Sequence, residues 1–173
     1  MLKEKIQEAL NKQTNAEFYS SYLYLSMSAY FKSINLNGFA NWMRVQAQEE
    51  LVHAMKVFDF INDRGGKVTL MAVTGPLIEW STPLAAFEEA YKHEQYMTQL
   101  INDLDKLVTG EGDRATSIFL QWFITEQIEE EASSNDVIQQ LKLIDGAPNG
   151  IFMLDRELGQ RTFQMPASTQ SET

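Results

Sequence analysis

A chain of 173 residues with 44 % apolar side chains is about one domain's worth and long enough to bury a substantial core. Its 24 Asp and Glu outweigh 14 Lys and Arg for a formal charge of −10, which argues against a nucleic-acid binder, because such a protein needs basic surface to displace counterions. The lack of cysteine excludes disulfides, thiolate ligands and thiol catalysis; the lack of an apolar run of about 18 residues argues against a membrane span, and the opening MLKEKIQEAL has no signal-type apolar segment, so residence in the cytoplasm is expected.

Helical periodicity comes first, from about Lys3 to Lys32, with Leu10, Glu17, Tyr24 and Phe31 at heptad spacing. Asn35-Leu36-Asn37-Gly38 then reads as a short turn, so the next helix should return antiparallel beside the first. That second helix is expected from about Asn37 to Asp63, with Phe39, Met43, Gln46, Glu50, His53, Val57 and Phe60 on one stripe. Gly65-Gly66 ends it. From Lys67 to Ser81 the periodicity is lost. A linker of about 15 residues can extend over roughly 50 Å, which exceeds the roughly 45 Å of a 30-residue helix. It can therefore run the length of a bundle, joining two hairpins by a long crossover.

The third helix is expected after Ser81-Thr82-Pro83, running to about Thr109, with Leu84, Phe87, Tyr91, Glu94, Thr98, Ile101 and Val108 as its inner stripe. Gly110-Glu111-Gly112 makes another short turn. The fourth runs from about Asp113 to Asp145, with Leu120, Phe123, Gln127, Glu130, Ser134, Val137, Leu141 and Ile144 facing inward. Alternating three- and four-residue steps of this kind are the seam of an all-α helix bundle. After Gly146-Ala147-Pro148, an apolar segment from Ile151 to Leu158 reads as a short fifth helix, too short to stand alone and so in need of a partner surface. The domain plan is thus a bundle over 1–145, a short C-terminal helix within 146–163 packing at a subunit interface, and a polar, disordered tail over 164–173.

The two hairpins repeat in register. Glu94 − Glu17, Gln127 − Glu50, Glu130 − His53 and Glu126 − Glu49 are each 77 positions apart. Glu17, Glu50, Glu94 and Glu130 thus sit mid-stripe among apolar residues, joined by His53 and Gln127. Glu50 and His53 are three apart and share a helix face, as do Gln127 and Glu130. Burying four carboxylates together is untenable unless they take up protons or cations. No Lys or Arg lies on the adjacent inner stripe positions, whereas two divalent cations would balance four carboxylates. Oxygen ligands with one imidazole suit iron or manganese rather than a thiolate-seeking metal. The acidity of the chain suits a collector of cations, although on charge alone solubility is the commoner reason for it.

The segments NAEFYSSYLYLSMSAYF, NWMRVQAQEELVHAMKVFDFINDRGG, YKHEQ and FLQWFITEQIEEEAS resemble the prokaryotic non-haem ferritins over nearly the whole chain, to about Phe163. The resemblance implies a ferritin-like four-helix bundle with the crossover topology, iron storage, and ferroxidase activity that oxidises Fe(II) with O2 or hydrogen peroxide at a di-iron centre. It implies one iron on Glu17, Glu50 and His53 and a second on Glu50, Glu94 and Glu130, with Glu50 bridging and Gln127 nearby. It places a third iron by Glu49, Glu126, Glu129 and Glu130. Tyr24 and Trp122 match residues near the di-iron site that could supply electrons, and both could equally be core packing. It further implies a homo-oligomeric shell of twenty-four subunits that mineralises iron in its cavity. Bacterioferritins resemble a different pattern, with a haem-ligating Met where this chain has Leu51, so no haem is expected. Glu131 could face a cavity or a pore. His93 neighbours Glu94 but is expected to point off the inner stripe, as a surface or interface histidine.

Overall fold

The computed structural model describes residues 2–164, so the expected disordered tail lies outside the described residues except for Gln164. Five helices make up the fold: α1 (Glu4–Ser33), α2 (Asn37–Asp63), α3 (Pro83–Gly110), α4 (Arg114–Ile144) and α5 (Pro148–Leu158). Among the described residues there is no strand, and no helix is long and apolar enough to cross a membrane.

Each helix end has a local cause. The α1–α2 turn passes through Asn35 at φ 63°, a left-handed conformation that asparagine tolerates. Gly65 at φ +67° ends α2, and the amide of Gly66 donates back to the carbonyl of Ile61 at 2.8 Å. Thr82 caps α3 by accepting from the amide of Ala85 at 3.0 Å, with Pro83 in the first turn. Asp113 caps α4 by accepting from the amide of Thr116 at 3.1 Å, and it also receives a two-pronged ion pair from Arg64 at 3.0 and 3.1 Å. That pair ties the end of α2 to the start of α4.

The segment between α2 and α3 is the long crossover expected from its length. Near one end of α1, Gln7 accepts from the amide of Lys67 at 2.7 Å and Asn11 from that of Thr69 at 2.7 Å. Near the other, Ser26 donates to the carbonyl of Leu77 at 2.5 Å and Trp80 packs edge-on against Tyr30 at 5.3 Å between ring centroids. The crossover therefore tracks α1 from Gln7 to Tyr30, roughly 35 Å at 1.5 Å per residue. It delivers α3 to the end of the bundle opposite that reached by a hairpin.

The interior divides into two apolar halves. One is built around Met27, Phe31, Phe39, Met43, Phe87 and Leu141. The other is built around Ile6, Leu10, Val57, Ile101, Val108 and Phe123. Between them lies a belt of buried polar side chains. The inner face of α3 is wider than expected: Ala86, Ala90, His93, Met97 and Leu104 are buried, whereas Leu84, Tyr91 and Thr98 are only half-buried. A helix that packs against two neighbours buries a stripe broader than the narrow heptad seam. Phe60 is likewise half-buried, stacked on Phe119 at 3.8 Å, with Ile61 in the core instead.

α5 folds back onto its own chain. Leu154 and Leu158 are buried against the Phe31–Phe39 half of the core, while Phe152 and Met153 stay exposed. α2 has no capping side chain of its own, and Asp155 supplies one from α5, accepting from the amides of Gly38 and Phe39 at 2.7 and 3.1 Å. The backbones approach so closely that a methyl group on Gly38 would lie 1.5 Å from the carbonyl oxygen of Asp155. Gly38→Ala should therefore push α5 away and cost about 1–3 kcal/mol, the range for overpacking a tight contact. Scanning calorimetry should show a lower melting temperature; an unchanged one would mean that α5 is not seated on α2 in this way.

Candidate metal centre

Four helices each contribute side chains to the polar belt. α1 brings Glu17, α2 brings Glu50 and His53, α3 brings Glu94, and α4 brings Gln127 and Glu130. All six are between 1 % and 6 % exposed. Two groups of possible ligand atoms each lie within 4.8 Å of one another: Glu17 with Glu50 and His53, and Glu50 with Glu94 and Glu130. Glu50 belongs to both. One carboxylate has two oxygens, so it can serve two ions at once.

Amides and a phenol hold the carboxylates in place. Gln13 donates to Glu17 at 2.7 Å. Gln46 donates to Glu50 at 3.1 Å and to Glu130 at 2.5 Å. Gln127 donates to the side chain and the backbone carbonyl of Glu94, both at 3.2 Å, and the Tyr24 hydroxyl donates to Glu94 as well. Gln127 thus orients a carboxylate in this geometry. The sequence placed Gln46 on the inner stripe of α2 without a role and gave Gln13 none; a further signal is that each lies four residues before an inner glutamate.

The electrostatics show how so many acids share one space. Burial, with the neighbouring Glu50, raises Glu17 and Glu94 to about 8 each. Burial also holds Glu130 well above the usual carboxylate range. Burial alone would raise Glu50, but the charge and hydrogen bond of His53, with the Gln46 amide, keep it below its ordinary value. Burial opposes the charge on His53, yet Glu50, 3.5 Å from its Nδ1, and then Glu17 raise it to about 10. Without a cation, burial therefore favours the protonated acid at Glu17, Glu94 and Glu130, and the Glu50–His53 pair carries the charge. Such a centre is neutral and holds exchangeable protons where metal ions would bind. Tyr24, buried and facing Glu94, is held well above the ordinary phenol range.

The residues expected around a third iron do not all meet. Glu126 and Glu130 come together with His53, again within 4.8 Å. Glu129 is exposed. Glu49 is engaged by Arg161, whose Nη2 lies 2.6 Å from it. The inner stripe positions beside the acids carry no Lys or Arg. Arg161 instead reaches the edge of the belt from off those stripes, arriving from beyond α5. Trp122 lies edge-on to His53 at 5.2 Å between centroids, with the Lys56 ammonium 4.1 Å above its ring. Glu131 accepts from Thr98 at 2.6 Å, across the α3–α4 contact.

His93 is also corrected. It is 9 % exposed, with Nε2 2.8 Å from the Ser20 hydroxyl and its ring packed against Tyr19 and Tyr24. Burial lowers its pKa, so it stands as a neutral imidazole bridging α1 and α3 behind the acids.

Comparison with known proteins finds relatives both by sequence and by fold. The sequence profile of the ferritin-like domain matches residues 7–144. A bacterial non-heme ferritin of Bacteroides fragilis (strain 638R) is 42 % identical over 161 residues, covering 93 % of this chain and all of that one. One from Staphylococcus aureus (strain MRSA252) is 38 % identical over 163 residues, covering 94 % of this chain and 98 % of the relative. Among solved structures, an open-pore ferritin of the hyperthermophilic archaeon Archaeoglobus fulgidus superposes with a TM-score of 0.93 at 54 % identity, covering 94 % of this chain and all of its own.

Proposed function

The chain belongs to the ferritin family, and from that premise we propose that its polar belt is a di-iron ferroxidase centre, with one ion on Glu17, Glu50 and His53 and the other on Glu50, Glu94 and Glu130. As a ferritin the chain stores iron and oxidises Fe(II). The observation that carries the site assignment is Glu50, the one side chain common to both ligand groups. A bridging carboxylate keeps two ions close enough to give one electron each to a single oxidant molecule, O2 or hydrogen peroxide.

The residues around the belt have separate tasks. Tyr24, hydrogen-bonded to Glu94, stands where it could pass an electron toward the second ion. Gln13, Gln46 and Gln127 hold the carboxylate oxygens in fixed directions, so little reorganisation accompanies the rise in metal charge. His53 and the three protonated glutamates give up protons as Fe(II) enters and the acids become ligands. The apolar halves on either side limit water at the centre. Donor chemistry fits iron: hard carboxylate oxygens in majority, with one imidazole. The family supports a homo-oligomeric shell of twenty-four subunits, with ferric product moving to its cavity and the assembly residing in the cytoplasm. The exposed Phe152 and Met153 on α5 suit a subunit contact within such a shell.

Crystals soaked anaerobically in Fe(II) should give two anomalous peaks at the iron edge, both within bonding distance of Glu50. A single peak, or a pair that leaves Glu50 unliganded, would overturn this assignment.

A further inference from the structure

We propose that Arg161 is a positioning residue of the metal centre: its guanidinium stands in for a third cation, holding Glu49 away from metal and turning the Gln46 amide onto Glu50 and Glu130. The inference rests on the di-iron reading above and goes beyond it.

Its basis is a chain of contacts from the C-terminal segment into the belt. Asn41 holds the backbone after α5 by donating to the carbonyl of Arg161 at 2.9 Å. The guanidinium then lies 4.3 Å over the Trp42 ring. Its Nη2 donates to Glu49 at 2.6 Å and to the side-chain oxygen of Gln46 at 2.9 Å. A guanidinium has donors only. The Gln46 oxygen must therefore face Arg161, which leaves the amide nitrogen to face Glu50 and Glu130. Gln46 is 1 % exposed, so no water replaces Arg161 cheaply as the partner that fixes this orientation.

Glu49 is the second consequence. It lies close enough to His53, Glu50 and Glu126 to feel their charges. Beside it stands the third group of ligand atoms, from His53, Glu126 and Glu130. A divalent cation there would draw on Glu49 as a further oxygen ligand, but the arginine already occupies that carboxylate. One guanidinium nitrogen, Nη2, serves Glu49 and Gln46 together while the plane rests on Trp42, a support that a lysine ammonium on a flexible stem would use less well. A docked C-terminal segment thus restricts the centre to two ions. Release of Arg161 would free Glu49 for a third.

The test counts ions rather than turnover. Wild type, Arg161→Gln and Arg161→Lys, each checked for assembly by size-exclusion chromatography, are titrated with Zn(II) by calorimetry and crystallised with it for anomalous scattering. Wild type should hold two ions per subunit with Glu49 still on Arg161. Arg161→Gln should gain a third ion ligated by Glu49 and bind the first pair about tenfold more weakly, the lower range for loss of an outer partner. Arg161→Lys should keep the count at two. A wild-type centre with a third ion on Glu49, or an Arg161→Gln centre still limited to two, would overturn the role given to Arg161. A wild-type centre holding no ion pair would overturn the di-iron reading and the proposal with it.

Discussion

Replacing Glu50 by Ala should slow the first, fast phase of Fe(II) oxidation by about a hundredfold or more while the fold persists. Outer-sphere partners of a metal already cost 10–100-fold when removed, so the shared ligand should cost at least that upper value. Both ligand groups contain Glu50, so one truncation damages both positions. The fold should survive for an electrostatic reason. Glu17, Glu94 and Glu130 hold protons in the metal-free state, and Glu50 carries the belt's one anionic charge. Without Glu50, His53 loses the largest of the causes that raise its pKa, with Glu17 and Glu130 left to raise it less, so its pKa falls. A lowered pKa lets the imidazole shed its proton rather than stand as an orphaned buried charge. Stopped-flow absorbance after mixing with Fe(II) in air reads the rate, and NMR titration reads His53. Wild-type kinetics in Glu50→Ala would show that oxidation happens elsewhere. Truncation of Glu129, which is exposed and outside every ligand group, should leave the fast phase intact.

The inner acids were legible in the sequence because two independent periodicities mark them. Helical spacing puts each on an apolar stripe, and the common offset of 77 puts them at one level of the bundle. Glycine, proline and capping residues located the turns, and the length of the crossover decided the topology. What stayed hidden was contact between distant parts of the chain. Arg161 is 112 positions from Glu49, and nothing local signals that α5 docks on Gly38 and carries the arginine in. The burial of His93 had a different cause. A heptad template admits only the narrow seam, and α3 buries a wider face, on which Tyr19, Ser20 and Tyr24 of α1 cover the His93 ring. Glu49 and Glu126 share the 77-residue register, and the family resemblance implied that both adjoin a third iron. The structure breaks that symmetry, because the cation from the C-terminal segment reaches only one of them.

The metal-free protein should lose stability as pH rises from 5 toward 9, and divalent cations should reverse that loss. Glu17 and Glu94 titrate near 8 when folded and near 4.5 when unfolded, the same reference value from which Glu130 is raised. Between those limits the unfolded chain binds fewer protons than the folded one, so the free energy of unfolding falls as pH rises. His53 acts in the same direction at higher pH: it keeps a proton to about 10 that an unfolded chain gives up near 6.5. Its contribution is fully present below 6.5 and lost through 10. Glu50, with a lowered pKa, opposes the trend only on the acid side, where its stabilisation disappears as pH falls below 4.5. Calorimetry on metal-free protein should therefore show a melting temperature that drops between pH 5 and pH 8. The high cost of net charge in a buried site sets the effect of metal. Near pH 7 the belt is neutral with one anionic glutamate and one imidazolium. Two Fe(II) add four positive charges, and the belt returns to neutrality with four anionic glutamates and a neutral His53, so three protons leave the glutamates and one leaves the imidazole. Titration calorimetry in buffers of different ionisation enthalpy should find about four protons released per ion pair. A flat melting temperature from pH 5 to 8, or binding without proton release, would mean that the buried acids are already ionised before metal arrives, and that something other than protons keeps them apart.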